Sequence, residues 1–167
     1  MLQSRALLEW HLKKTEWEEI QGKLKNFREQ AEQLQEKLLA LKNKIESLGE
    51  PDQQDIDGKI AYALASQELW MAEKEWERFQ DQRFNDEMMY REQEEICRQE
   101  LDELESTISR ETFQTYEEVS EFCDNPVVEV KRRSCMGCFL PLSMITMNAW
   151  RKGKKLVRCE VCGRILV

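Results

Sequence analysis

Four of the six cysteines stand in two close pairs, Cys135 with Cys138 and Cys159 with Cys162, and twenty residues separate the pairs. Two thiolates spaced C-x-x-C can hold one metal ion from a single tight turn, and two such turns together supply four sulfur ligands. Four thiolates at about 2.3 Å complete the tetrahedral coordination of Zn²⁺, so no position stays open for water or a substrate. The spacing therefore predicts one structural Zn²⁺, with iron in the same cage as the minor alternative.

Redox-active dithiols are the other chemistry that paired cysteines perform. Neither pair, however, lies in the strand, helix and strand pattern that surrounds a thioredoxin-like site. Glu9 and Lys13 interrupt the region where a secretory signal would be apolar, and no apolar run approaches the roughly 20 residues needed to cross a bilayer. We therefore expect metal ligands rather than disulfides, a cytoplasmic location and no membrane insertion.

Short β-favouring segments flank both cysteine pairs. Val127, Val128 and Val130 lead into the first pair, Leu156-Val157 lead into the second, and residues 165–167 leave it. These segments predict a small β ribbon around the metal over residues 127–167.

Residues outside the two pairs offer little for catalysis. His11, the only histidine, lies in a charged helical stretch, and we expect it to be solvated. Cys97 occupies an apolar helix position and Cys123 a short helix, as unreactive thiols commonly do. The carboxylates are too many and too exposed to single out a pair as acid and base. The sequence therefore indicates that this protein is not an enzyme.

The elements that must carry the metal site begin with a long helix. Its apolar residues step by three and four along a 3.5-residue seam, with Glu, Gln and Lys on the flanks; they are Trp10, Trp17, Ile20, Leu24, Phe27, Ala31, Leu34, Leu38, Leu41, Ile45 and Leu48. Gly49 and Pro51 supply a stop, and a second helix starts between Asp52 and Asp57. Such a seam requires a partner helix.

The apolar repeat of the second helix is less regular. Arg83 interrupts it, and it resumes from Cys97. Antiparallel pairing with the first helix is the economical arrangement, although pairing with a second chain in a homodimer stays open. The Ser106 to Ser109 cluster breaks this helix, and Asn125-Pro126 end a short connecting helix.

The predicted fold is therefore mainly α, an antiparallel coiled-coil helical hairpin followed by a small C-terminal β zinc ribbon. We expect the hairpin over residues 1–109 with its turn near 48–56, the connecting helix over 110–126, and the ribbon over 127–167.

Charge divides the chain unevenly. From residue 127 onward there are nine Lys or Arg against two Glu, a net charge of +7, so residues 1–126 carry −15 of the total of −8. Such asymmetry suggests two modules with different partners. On the second helix, aromatic and Met residues exceed what one seam needs. Core or dimer packing is the preferred explanation, and an adaptable protein-docking surface is the other; the candidate docking residues are Trp70, Met71, Trp76, Phe84 and Met88.

The basic ribbon supports a different function. Lys and Arg gain by releasing phosphate counterions, and an aromatic ring can stack on a base; the candidate nucleic-acid contacts are Lys131, Arg132, Arg133, Trp150, Arg151, Lys152, Lys154 and Lys155. The acidic helical part would repel a phosphate backbone that approached it. We therefore prefer protein partners and keep an RNA- or DNA-binding ribbon with a coiled-coil dimerisation arm as the alternative.

Residues 112–167 carry a resemblance to a known family. The matching segments are Tyr116, Val127-Val128-Glu129-Val130, Cys135-Met136-Gly137-Cys138 with Leu140-Pro141, and the run from Leu156 to Leu166 that contains Cys159 and Cys162. They resemble the bacterial C4-type zinc ribbon proteins in which a coiled-coil hairpin precedes the ribbon. Glu160 departs from the Pro that is common at this position in the family.

The resemblance implies an adaptor function. Proteins of this type bind the alternative sigma factor of the sigma-54 class and components of flagellar or type III secretion export, and RNA binding also occurs among them. The resemblance therefore implies a zinc-binding regulatory protein in transcription or secretion.

Overall fold

The structure, a computed structural model, describes residues 3–167. Four helices account for most of the chain: α1 (Gln3–Leu48), α2 (Ile56–Thr107), α3 (Arg110–Ser120) and α4 (Met144–Lys152). Five two-residue strands make up the rest of the regular structure: β1 (Val127–Val128), β2 (Val130–Lys131), β3 (Ser134–Cys135), β4 (Val157–Arg158) and β5 (Ile165–Leu166). Within residues 3–167, no helix combines the length and the apolar character that crossing a bilayer requires.

The turn between α1 and α2 follows from its residues. Gly49 adopts a φ of 63°, and its N–H donates to the Ile45 carbonyl at 3.2 Å, which ends α1. Asp55 then accepts a hydrogen bond from the Gly58 N–H at 2.9 Å and satisfies one of the free donors at the start of α2. The turn between the two helices therefore extends from Gly49 to Asp55.

The pairing of α1 with α2 is antiparallel. Lys37 pairs with Glu75 at 2.7 Å and Lys44 with Glu68 at 3.0 Å, so seven residues forward on α1 correspond to seven residues backward on α2. The predicted antiparallel helical hairpin is confirmed, and it closes within one chain.

The chain forms two compact units, one of which is Glu19–Glu94. Its seam is closed by small residues, because Ala65 and Ala72 are buried while longer side chains such as Leu34 and Leu41 are only half-buried. Arg83, which interrupts the apolar pattern, places its guanidinium 5.1 Å from the centre of the Phe27 ring. A cation over an aromatic face thus replaces an apolar contact at this seam position.

The other unit combines residues 3–18 with Glu95–Val167. One core joins the start of α1, the helix α3 and the strands of the ribbon; its buried residues are Ala6, Leu7, Ile108, Tyr116, Val119, Val127 and Ile165. The expected division at residue 109 therefore does not separate two cores, because the apolar residues of α3 and the ribbon pack against the start of α1 and against Ile108, which follows α2.

His11 contradicts the expectation of a solvated side chain. It is only 8% exposed, and its Nδ1 lies 2.8 Å from the hydroxyl of Tyr116 on α3. Trp10 packs edge-on against the same tyrosine, with ring centroids 5.1 Å apart. The His11 imidazole and the Tyr116 hydroxyl form a hydrogen bond with each other. This bond allows His11 to be buried although its neighbours in sequence are charged. Cys97 is likewise buried at its α2 position.

Candidate metal centre

The first cysteine pair begins at the end of a hairpin formed by β2 and β3. Lys131 pairs with Ser134, and a two-residue turn of Arg132 and Arg133 joins the strands. Both turn residues have positive φ, 50° and 64°. Such turns match the twist of the strands but favour Asn and Gly, which adopt positive φ at little cost. Cys135 ends β3 and is fully buried.

The two cysteine turns share one backbone geometry. The Phe139 N–H donates to the Cys135 carbonyl at 2.8 Å, and the Gly163 N–H donates to the Cys159 carbonyl at 2.9 Å. Phe139 and Gly163, each directly after the second cysteine of its pair, have φ of 61° and 72°. Glycine takes this conformation freely, whereas a residue such as Phe pays about 1 kcal/mol or more.

The strands of the three-stranded sheet bring the two turns together. β5 pairs parallel to β1 and antiparallel to β4, so the segment after Cys162 returns beside the segment before Cys135. The Cys159 N–H also donates to the Arg164 carbonyl at 2.8 Å, which closes the second turn onto its exit strand.

The four sulfur atoms form one compact cluster. All four Sγ atoms lie within 4.8 Å of one another. Cys135 Sγ is 3.7 Å from Cys162 Sγ, and Cys138 Sγ is 3.8 Å from Cys159 Sγ. Four ligands at about 2.3 Å from a central Zn²⁺ would lie roughly 3.8 Å apart, whereas a disulfide requires about 2.05 Å. The donor set therefore fits one structural zinc ion, as the spacing predicted.

The electrostatics of the site favour a bound cation. Burial raises the pKa of the Cys135 thiol to about 12. At Cys162 burial also opposes ionisation, but hydrogen bonds from the Arg164 backbone and guanidinium, together with neighbouring thiols, outweigh it and lower the pKa to about 7. Because four clustered thiolates repel one another, a divalent cation is what allows all four to ionise together. The Gly137 N–H donates to Cys135 Sγ at 3.4 Å.

Arg164 links both cysteine turns to the segment that joins α3 to β1. Its Nε donates to the carbonyl of Asn125, just before β1, at 3.0 Å. A Cβ at Gly137 would lie 2.6 Å from its Cδ, so any larger residue there would force the arginine side chain to move from its position across the first turn. With the hydrogen bond to Cys162, this cation partly offsets the net charge of about −2 on a zinc ion with four thiolates.

Helix α4 supports the site from the segment between the pairs. Ser143 caps it by accepting from the Thr146 N–H, and Gly153 ends it with a φ of 59°. Glu160 accepts a hydrogen bond from the Ser143 N–H at 2.8 Å, and this bond lowers the pKa of its carboxyl. Glu160 therefore links the second cysteine turn to the start of α4.

Helix α4 was not predicted, because the sequence indicated only a small β ribbon over residues 127–167. Three local signals mark the helix: Ser143 as N-cap, Gly153 as the left-handed terminator, and basic residues in the last turn. Its Met147 is buried beside Leu142, Leu166 and two of the cysteines in a second core, against which Trp150 also packs.

The candidate partner residues lie on the Glu19–Glu94 unit. Trp70, Phe84 and Met88 are 60%, 65% and 58% exposed, and Met71 is also exposed. Trp76 is half-buried and stacks on Phe79 with ring centroids 5.8 Å apart. The structure therefore places four of the five at the surface.

The candidate nucleic-acid residues lie on the ribbon. Their basic side chains are exposed, whereas Trp150 is half-buried; these cations are Lys131, Arg132, Arg133, Arg151, Lys152, Lys154 and Lys155. Lys131 pairs with Glu129 at 2.5 Å. In the part of the chain that the structure describes, the other six form no ion pair within 4.0 Å. Cys123 Sγ lies 4.0 Å from the Cys162 carbonyl oxygen, outside the four-sulfur cluster.

Comparison with known proteins agrees with the geometry at the cysteines. Residues 134–166 match the family described as C4-type zinc ribbon domain. The chain is similar to CT398 from Chlamydia trachomatis, with 20% identity, coverage of 99% of this chain and 82% of the other, and a TM-score of 0.42. It is also similar to the HP0958 protein from Helicobacter pylori, with 17% identity, 98% and 84% coverage, and a TM-score of 0.40. Comparison with curated proteins gives no match.

The C-terminal segment is thus a C4 zinc ribbon that binds one structural zinc ion. Cys135, Cys138, Cys159 and Cys162 hold the ion, and its four sulfur ligands leave no position at which a substrate could be activated.

Proposed function

We propose that this protein is a non-enzymatic, cytoplasmic adaptor whose helical hairpin binds protein partners and whose zinc ribbon is a folded module at the other end of the sequence. The observation that carries the proposal is the set of exposed aromatic and Met side chains on α2. A reducing cytoplasm suits a ribbon that depends on four thiolates.

The exposed residues of α2 share a helix face. Trp70 and Phe84 are fourteen residues apart, which is two heptads, and Met88 follows Phe84 by one helical turn. The seam toward α1 uses other positions, among them the buried Ala65 and Ala72. The exposed face is therefore free of the packing that holds the hairpin together, and large apolar side chains at such positions are typical of docking surfaces.

Charge around this face favours a basic partner surface. Residues 56–94 contain ten Asp or Glu against five Lys or Arg. Long-range attraction raises the association rate of a basic partner, while aromatic and Met anchors supply most of the affinity. The resemblance supports a sigma-54-class factor and components of flagellar or type III export as the partners.

The direct test is calorimetric binding of the full chain to a purified sigma-54-class factor. We expect Trp70→Ser and Phe84→Ser each to weaken binding at least tenfold. Leu39→Ser, which removes an equally exposed apolar side chain from α1, is the matched control and should leave the affinity unchanged. Equal affinities for all four proteins would contradict docking through this face.

A second candidate function is nucleic-acid binding by the ribbon, which the unpaired exposed cations favour. Binding through phosphates would fall steeply with salt, and each lost contact would reduce the salt slope by about one. Replacing Arg151, Lys152, Lys154 and Lys155 by Glu would abolish such binding at physiological salt. The same four changes should weaken protein docking through α2 only modestly, so the two functions are separable by one variant.

A further inference from the structure

Three residues of the described chain combine positive φ with a side chain other than glycine, and all three lie on the ribbon: Arg132, Arg133 and Phe139. All three side chains are exposed, and that of Phe139 is 71% exposed. The conformation of each favours Gly or Asn. Exposed side chains make few packing contacts within the fold. The backbone strain at these three residues is therefore not offset by contacts within the ribbon.

The second cysteine turn provides the internal comparison. Gly163 occupies the position equivalent to Phe139, with the same hydrogen bond back to the first cysteine and nearly the same φ. The turn therefore does not need an aromatic residue to bind the metal. Phe139 is therefore less favourable for the stability of its turn than a glycine, the residue found at the equivalent position of the second turn. Strained backbone conformations of this kind concentrate at functional sites.

Hydrogen bonds place these residues next to one another. The Leu142 N–H donates to the Arg133 carbonyl at 2.9 Å, and Ser134 bridges to Pro141, so the arginine turn lies beside the segment from Phe139 to Leu142. The Ser143 N–H donates to the Glu160 carboxylate at 2.8 Å, so the second cysteine turn lies beside the start of α4.

Apolar side chains are exposed along these connected segments. We define the ribbon face by these five residues: Phe139, Leu140, Met144, Ile145 and Val161. Ile145 is 83% exposed, whereas Leu142 and Met147 from the same stretch turn inward to the metal-site core. The core is thus complete without the residues of the ribbon face.

We propose that the ribbon face, with Arg132 and Arg133 at its edge, docks an acidic amphipathic segment of a partner protein. Charge complementarity selects this occupant. The two arginines have no carboxylate within 4.0 Å among the described residues, and the ribbon from residue 127 onward carries +7. Aspartate and glutamate on one side of the segment meet the arginines, while its apolar side chains cover the ribbon face.

The composition of the ribbon face favours protein over nucleic acid. Four of its five residues are aliphatic or Met, which pack against apolar side chains, whereas bases stack on aromatic rings and guanidinium planes. Trp150, the other ring beside the basic residues, packs against the metal-site core. This docking site is separate from the α2 surface and opposite in charge, so the proposal does not depend on the proposed function of the hairpin.

The strained positions permit a test in which the variants fold at least as well as the wild type. Phe139→Gly removes the aromatic anchor and gives the turn the residue found at Gly163. Arg132→Asn with Arg133→Gly removes two charges and installs the pair that this turn favours. We expect both variants to raise the midpoint of thermal unfolding of the zinc-loaded protein, because both relieve positive-φ strain.

Binding of the full-length zinc-loaded protein is measured by fluorescence anisotropy with three probes. They are a labelled twenty-residue acidic helical peptide with Leu and Phe on one face, the same composition in scrambled order, and a twenty-nucleotide oligo-dT. We expect binding of the first peptide, at least tenfold weaker binding of its scrambled version, and at least a tenfold loss with Phe139→Gly, Ile145→Ser or the two-arginine variant. Leu12→Ser, on the surface of α1, is the control and should bind as the wild type does. Absence of peptide binding, equal binding of both peptides, unchanged affinity in Phe139→Gly, or binding of oligo-dT alone would each overturn the proposal.

Discussion

The imidazole of His11 and the hydroxyl of Tyr116 lie 2.8 Å apart in the core that joins α1 to α3. His11 lies near the start of α1, and Tyr116 lies on α3, which leads into the ribbon. Their hydrogen bond therefore connects two segments that are 105 residues apart in the sequence. Its burial makes the stability of this unit depend on both partners and on pH.

Acidification should destabilise the protein through His11. Burial is the largest cause of its lowered pKa, below the usual 6.5. The unfolded chain therefore takes up a proton at higher pH than the folded chain, so this contribution is complete above pH 6.5 and is lost as the pH falls through the folded pKa. Thermal unfolding between pH 5 and 8 should show a weaker pH dependence for His11→Asn than for the wild type. Because both proteins keep the zinc site, the difference isolates the histidine; identical curves would contradict this role.

Tyr116→Phe should cost about 1–2 kcal/mol of unfolding free energy. The change keeps the ring packed against Trp10 but leaves the buried His11 Nδ1 without its hydroxyl partner. Urea denaturation monitored by circular dichroism measures the loss. Tyr90→Phe, on the Glu19–Glu94 unit, is the matched control and should be nearly neutral. A neutral Tyr116→Phe would mean that the hydrogen bond does not stabilise the fold.

Loss of zinc should reach beyond the ribbon. Cys138→Ser removes one of four ligands, and the ribbon strands share a core with Ala6, Leu7 and Ile108. Hydrogen exchange should therefore increase at the start of α1 and in α3 as well as in residues 127–167. Amides near Ala65 and Ala72 belong to the other unit and should keep their protection. Unchanged exchange at Leu7 would show that the ribbon unfolds independently.

Arg164→Gln should weaken zinc binding about tenfold, because it removes the cation that hydrogen-bonds Cys162 and spans the first turn at Gly137. Competition with a chromophoric chelator measures the affinity. Arg158→Gln on β4, whose side chain pairs with Glu118 at 2.6 Å, is the control and should retain wild-type affinity. Equal affinities for Arg164→Gln and the wild type would show that the guanidinium does not tune the metal site.

The metal ligands and the hairpin were predictable because their causes are local and periodic. The two C-x-x-C pairs define the site by themselves, and the 3.5-residue seam defines the need for a partner helix. The strand segments at Val127 and Ile165 were likewise visible, since β-branched residues cluster there. These features depend on residues close together in sequence.

Long-range features were not predictable from the same patterns. His11 appears solvated when only its charged neighbours are considered, because its partner Tyr116 is 105 residues away. The shared core at Leu7 and Ile165 depends in the same way on contacts between distant segments. The helix α4 has local signals at Ser143 and Gly153, but the segment between them lacks the long apolar periodicity that marks α1 and α2.

The antiparallel register of the hairpin restricts how its length can change during evolution. Lys37 pairs with Glu75 and Lys44 with Glu68, so the same seven-residue step separates the pairs on both helices. Deleting seven residues from α1 alone would place each α1 residue on the far side of the deletion opposite a different residue of α2. Deleting seven residues from each helix would keep the remaining pairs, and the apolar seam, in register. Homologues with longer or shorter hairpins should therefore differ by matched insertions of whole heptads in both arms, and aligning their sequences would reveal this pairing of gaps.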